Sequence, residues 1–132
     1  MAGLTDLDAI LAAVRIERRP GTFTYVAVDA TDAVLDEGVA ALVREDEGTT
    51  AVVAVDAAHA RGWPVDVELA WLTVAVETSL EGVGLTAALA GALADEGIAC
   101  NVVAALHHDH LLVPAAQAGA AVARLERLRR EP

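Results

Sequence analysis

The sequence predicts an α+β fold, and three observations carry that prediction. The run from Trp71 to Pro114, WLTVAVETSLEGVGLTAALAGALADEGIACNVVAALHHDHLLVP, alternates apolar segments with polar breaks. Its apolar residues pass from a near-continuous run to helical spacing and back to short runs, which reads as strand, helix, strand, strand. Gly82, Gly84 and Gly97 stand at the breaks around the helical segment, where a chain must turn tightly.

The elements follow in order. Thr5-Asp6-Leu7-Asp8 resembles a capping box with Asp in place of the usual Glu, and Leu7, Ile10, Leu11 and Val14 continue it as one apolar stripe. Pro20-Gly21 breaks the chain before a strand over 22–28, and residues 29–38 read as a polar, acidic loop. Strands over 40–44 and 49–55 flank Glu45-Asp46-Glu47-Gly48, a hairpin turn. A helical turn over 57–60 stops at Gly62, and Pro64 marks a boundary between a first half, 1–66, and a second, 67–132.

In the second half, 69–76 is a strand. Residues 83–96 form a helix with Leu85, Leu89, Ala92 and Leu93 on one side, and Gly97 is its stop signal. Strands over 98–106 and 110–113 follow. Pro114 then suits the first turn of a last helix that buries Ala118, Val122, Leu125 and Leu128. This β-α-β-β-α order is one strand short of a split β-α-β, ferredoxin-like unit. An open apolar edge invites pairing, so the first half is expected to cover part of it. A two-fold homodimer is expected to cover the rest.

Composition excludes several classes. A formal net charge of -11 disfavours nucleic acid and anionic membranes as partners, and 3% aromatic residues leave few stacking platforms for bases. All nine basic residues are arginine, so neither a Schiff-base lysine nor a phosphate-loop lysine exists. Four of them, Arg124, Arg127, Arg129 and Arg130, complement the dipole of the last helix. The single cysteine, Cys100, lies in an apolar pattern and reads as a small buried hydrophobe. Neither a signal peptide nor a membrane-length apolar run is evident, so a cytoplasmic location is expected.

Three segments then resemble a known family. Ser79-Leu80-Glu81-Gly82-Val83-Gly84-Leu85-Thr86-Ala87-Ala88, Glu96-Gly97-Ile98-Ala99-Cys100-Asn101-Val102-Val103-Ala104 and His108-Asp109-His110-Leu111-Leu112-Val113-Pro114 look like the small tandem ACT-domain proteins. These are related to the regulatory ACT pairs of aspartate kinase. The opening Thr5-Asp6-Leu7-Asp8 and the stretch from Arg44 to Thr50 are similar to that family's first half. The resemblance implies a ferredoxin-like sheet with helices packed on one face, ACT units paired edge to edge, and amino-acid sensing without catalysis. It implies an effector held between the first β-α loop of one unit and facing strands of another. Carried over here, the loop is Thr78 to Leu85, the strand contacts are Asn101 and Val102, and the acid entering the next strand is Asp109.

The chemistry of these residues suits that role. Gly82 and Gly84 let backbone N–H groups approach a carboxylate at a helix start. Asp109 or Glu81 could take the ammonium through a charge-assisted bond. The candidate ligand-binding residues are therefore Thr78, Ser79, Leu80, Glu81, Gly82, Val83, Gly84, Asn101, Val102, His108 and Asp109, and the expected ligand is a small amino acid or related carboxylate. A protein partner that reads the bound state is also expected.

Other readings carry less. Gly82-x-Gly84-x-x-Ala87 matches a dinucleotide fingerprint, but the chain returns at once through a hairpin where a doubly wound sheet needs helical crossovers. In His107-His108-Asp109-His110, strand alternation puts His108 and His110 on one face and Asp109 on the other, and no HExxH or cysteine cluster accompanies them. No metal or other cofactor is expected. Ser79, His108 and Asp109 are triad residue types, yet Ser79 lacks a G-x-S-x-G elbow, so no catalytic residue is assigned. The alternatives are an oligomerisation module with a vestigial pocket and, below it, a metal-dependent enzyme using the histidines.

Overall fold

The computed structural model describes residues 6–29, 38–76 and 83–129. The chain divides into two compact units that do not follow chain order. One comprises residues 1–19 and 70–132, the other residues 20–69.

The first unit begins with α1, Leu7–Ala13, whose N-cap is Asp6: its carboxylate accepts from the Asp8 N–H at 3.0 Å. That satisfies one orphan donor of the first turn. The chain then forms β1, Ile16–Arg18, which pairs antiparallel with β5, Leu69–Val74, in the register Ile16 to Val74, Glu17 to Thr73 and Arg18 to Leu72. β5 is also a neighbour of β7, Asp109–Pro114, and β7 pairs antiparallel with β6, Asn101–Ala104. The fourth strand that the C-terminal sequence lacks is thus β1, contributed from the start of the chain.

Alternation along the strands decides what lies beneath the helices. Ala70, Leu72 and Val74 of β5 and Leu111 and Val113 of β7 point to one face. There they meet Ile10 and Val14 of α1, Leu85, Leu89, Ala92 and Leu93 of α3 (Leu85–Asp95), and Ala118, Ala121 and Leu125 of α4 (Ala118–Glu126). All three helices therefore cover the same side of the sheet, as in a ferredoxin-like unit. The apolar stripe expected for α3 is the one buried. In α4 Ala121 is more deeply buried than Val122, which lies at the margin.

α3 ends at Gly97, φ 71°, with the Gly97 N–H donating to the Ala94 carbonyl and the Ile98 N–H to the Leu93 carbonyl. This 6→1 and 5→2 pair is a Schellman stop, in which glycine takes the left-handed position without steric cost. The strand expected over 98–106 is shorter than its apolar run. Ladder pairing with β7 covers Asn101 to Ala104 alone, and Ile98 is instead a core residue after the helix stop.

The second unit carries β2, Phe23–Val28, β3, Val39–Glu45, and β4, Gly48–Ala54, with β4 between the other two and every pairing antiparallel. The predicted hairpin turn closes with Glu45 opposite Gly48, and the Thr50 hydroxyl donates to the Glu45 carboxylate at 2.7 Å. The helical turn expected over 57–60 is a longer helix, α2, Val55–Arg61, ending at Gly62 in the left-handed region. Val26, Val28, Ala51, Val53 and Ala58 form this unit's core, flanked by half-buried Leu42, Trp63 and Val65. Most of the acidic loop expected at 29–38 lies outside the described residues.

Because Ile10 is buried among residues sixty or more positions away, Ile10→Ala should destabilise the unit of residues 70–132 by about 2–4 kcal/mol. Native-state amide exchange would show this as lost protection in α4 and β7, with β2 and β4 unchanged. Protection lost in β2 and β4 instead would mean that α1 supports the other unit.

Candidate functional site

β5 leads towards the loop expected to hold a ligand, and α3 leads away from it. Of the residues assigned from sequence, Thr78, Ser79, Leu80, Glu81 and Gly82 lie outside the described residues. Val83 is 83% exposed. Gly84 is the N-cap of α3 at φ 98° and offers no side-chain cap to the first-turn N–H groups. A Cβ added to Gly84 would lie 3.0 Å from Leu7 Cδ2. Two separate constraints therefore demand glycine there: a positive φ and the close approach of α1.

The second group lies on the β6–β7 hairpin. Asn101 is opposite Leu112, Val102 opposite Leu111 and Asp109 opposite Ala104. Residues directly opposite share a face. Asn101 thus shares the face of Leu112, away from the helices, whereas Val102 and Asp109 share the face of Leu111, which is in the core. One ligand cannot lie flat on all three side chains. Asn101 and Val102 are exposed, and His108 and Asp109 are half-buried.

The face away from the helices carries a polar cluster that sequence reasoning assigned no role. The Trp71 indole Nε1–H donates to His110 Nδ1 at 3.1 Å, and the Thr73 hydroxyl lies 2.9 Å from the same nitrogen. The two rings stack at a tilt, centroids 4.9 Å apart. The Arg19 guanidinium sits 5.4 Å from the centre of the Trp71 ring, within cation–π range. His108 lies beside His110, ring centroids 6.4 Å apart. An indole N–H is a donor only, so His110 Nδ1 must be unprotonated, the neutral ring carries its proton on Nε2, and the Thr73 hydroxyl can face Nδ1 only as a donor.

Burial pushes the His110 imidazole below its ordinary value; His108 lowers it further, Asp109 opposes the shift, and Arg19 lowers it again. The signal available in sequence was Trp71 and Thr73 at strand spacing, and His110 at the start of another strand. Nothing in the chain states that the two strands are neighbours. Burial also pushes the Cys100 thiol up, which keeps it a thiol and a poor nucleophile. Among the described residues no three His, Cys, Asp or Glu side chains converge on a metal-sized space. No described helix is long and apolar enough to cross a membrane.

A split sheet covered on one side by helices, with a partner strand lent by a distant segment, defines a ferredoxin-like α+β module. Comparison with known proteins makes this specific. The ACT-domain family matches residues 2–70, and a second ACT-domain family matches residues 66–127. The chain belongs to the ACT-domain family, as two ACT domains in tandem.

A Vibrio cholerae protein of unknown function, described as a possible transport protein, is 32% identical, with a TM-score of 0.83 over 93% of this chain and 95% of that one. An Agobacterium tumefaciens protein is 20% identical with a TM-score of 0.63, over 88% of this chain and 89% of that one. Aspartokinase alpha and beta subunits share the fold at 14% identity and a TM-score of 0.61, over 90% of this chain and 100% of that one. No curated protein matches the chain.

The His110 geometry has a pH signature. Protonation must occur at Nδ1, the atom that accepts from Trp71, so the folded state resists it. With the folded value depressed, the contribution to stability is complete above the ordinary 6.5 and is lost as pH falls below it towards the folded value. His110→Gln keeps an acceptor for the indole and does not titrate. Urea unfolding should therefore show a smaller loss between pH 7.5 and 5.5 in this variant than in the wild type, where each pK unit of difference is worth about 1.4 kcal/mol. Equal losses would show that the ring titrates alike in both states.

Proposed function

We propose that this tandem ACT protein is a cytoplasmic, non-catalytic sensor of a small amino acid or related carboxylate, working as a homodimer that passes its ligand state to a protein partner. Membership of a family whose domains are typically regulatory supports the reading. The observation that carries it is the start of α3. Gly84 opens an eleven-residue helix and, as its N-cap, brings no side chain to the first turn, so the first-turn N–H groups and the positive end of the helix dipole suit an anion. A carboxylate answers both. In this proposal Gly82, Gly84 and the residues from Thr78 to Val83 hold the carboxylate, and Glu81 or Asp109 takes the ammonium. The domains are read as 1–66 and 67–132 in sequence, with β1 exchanged into the second.

Asn101 and Val102 face opposite sides of the sheet, so in this proposal a ligand meets one of the two, joined there by the same residue of a second copy. β6 is suited to such sharing. It ends the strand order of its unit, Val102 is 37% and Leu106 69% exposed, and no charge interrupts Asn101 to Leu106. An edge without charges, prolines or bulges pairs readily with another edge. The proposed dimer joins two β6 edges about a two-fold axis, which brings Asn101 and Val102 to the interface.

A thermal-shift screen of the twenty amino acids tests the sensing role, because ligand that binds the native state alone raises Tm by mass action. At least one small amino acid should raise Tm of the wild type, and Asn101→Ala, an exposed position, should weaken that response without altering the unliganded melt. If none of them shifts the melt, the oligomerisation module replaces the sensor. Gly84→Val is not a neutral control: its positive φ and the contact with Leu7 should cost about 1–3 kcal/mol before any ligand is added.

Sedimentation tests the dimer separately. The wild type should run at twice the 13.6 kDa chain mass, and Val102→Lys, which places a charge on the edge, should run as a monomer with an unchanged circular dichroism spectrum. A wild type that sediments as a monomer at micromolar concentration rules the β6 pairing out.

A further inference from the structure

At the opposite end of α3 a second cleft has no part in the reading above. It holds about 310 Å³ and is lined by Glu96, Ile98, Gln117, Ala120, Ala123, Arg124 and Arg127. Eleven residues of helix separate it from Gly84, about 16 Å at 1.5 Å per residue. Residues 117, 120, 124 and 127 follow one another at steps of three and four, so a single stripe of α4 and its flanking turns forms one wall. The facing wall is the Schellman stop of α3, with Glu96 at its cap and Ile98 buried as the floor.

Charge and size are both unusual there. Arg127 Nη2 donates to Glu96 Oε1 at 3.0 Å, and Arg124 Nε lies 3.8 Å from the same oxygen. Arg129, by contrast, is turned to Glu126 at 2.6 Å. Among the described residues, two guanidinium groups and one carboxylate line the cleft. A guanidinium presents five donors in a planar fork, and a single carboxylate oxygen does not exhaust the Arg127 fork. Between the arginines and Gln117, Ala120 and Ala123 stand where larger side chains would fill the space.

We propose that this cleft binds a short aliphatic monocarboxylate. The planar carboxylate pairs side-on with Arg127, Arg124 adds charge beside it, and the aliphatic body lies on Ile98, Ala120 and Ala123. Gln117 can hydrogen-bond a hydroxyl or oxo group on the second carbon. Glu96 discriminates against a second negative charge, which disfavours phosphate and dicarboxylates. The volume is at the small end of ligand pockets, which suits a short ligand.

The experiment is a titration of the ¹⁵N-labelled full chain with sodium butyrate, against sodium chloride and inorganic phosphate at matched ionic strength. Butyrate should produce saturable amide shifts confined to Glu96–Ile98 and Gln117–Arg127. Arg127→Gln and Arg127→Lys should each weaken it about tenfold, since the loss of a charge-assisted bond is worth that much and lysine keeps the charge without the fork. Ala120→Leu, at an exposed helix position, fills the cleft and should abolish the shifts while the thermal melt stays the same. The proposal fails if butyrate gives no saturable shift, or if chloride and phosphate reproduce it, which would mean a counter-ion only. It also fails if Ala120→Leu binds as the wild type does, or if the shifts fall at Gly84–Leu85, which would assign butyrate to the loop before α3.

Discussion

The docking of residues 6–19 onto the C-terminal part of the chain is the interaction on which the rest depends. β1 is three residues long and would not exist without β5, because a strand this short has no independent stability. Once Ile16 to Arg18 pair with Leu72 to Val74, that stretch of β5 is covered along one edge. Ile10 and Val14 are then brought onto the same apolar face as α3 and α4. The position of α1 in turn brings Leu7 against Gly84, so the start of α3 is shaped by a segment some seventy residues earlier. Sheet edge, core and helix start are three consequences of one pairing.

Elements whose cause is local were legible in the sequence. The stripe Leu85, Leu89, Ala92, Leu93, the stop at Gly97, the turn from Glu45 to Gly48 and the stop at Gly62 all follow from side-chain spacing or from glycine, and all occur. Elements whose cause is a distant partner were not. Ile16-Glu17-Arg18 between Arg15 and Arg19 has the composition of a solvated connection, and only the edge of β5 makes it a strand. The strand expected over 98–106 failed in the other direction. Its apolar run was read as one element, although Ile98 belongs to the helix stop and Leu106 to the hairpin.

The same division applies to the candidate sites. Gly84 could be read as a helix start from glycine alone, whereas Thr78 to Gly82 lie outside the described residues. The opposed faces of Asn101 and Val102 follow from alternation, but they matter only once β7 supplies the register. His110 stood in view as part of a histidine run, and its actual environment of an indole, a hydroxyl and a guanidinium comes from β5 and from the residue after β1. The arginine-lined cleft was read as a helix end neutralising its own dipole. The side chains find carboxylates instead: Arg129 pairs with Glu126 three residues away, and Arg127 with Glu96 at the end of another helix.

The lent strand also bears on the order in which the chain can fold as it is made. Residues 6–19 leave the ribosome well before the strand and helices they complete. Residues 20–69 meet no such delay, since β2, β3, β4 and α2 are neighbours in sequence and can close early. Throughout that interval Ile10, Val14 and Ile16 have no core to enter. Contacts so far apart in sequence are slow to form, and apolar segments held waiting are exposed to misassociation. Charges at Arg15 and Glu17 flank Ile16, and Asp6 and Asp8 precede the run from Ala9 to Val14; the charges that hide β1 from a reader of the sequence also interrupt the apolar surface this segment shows before its partners exist.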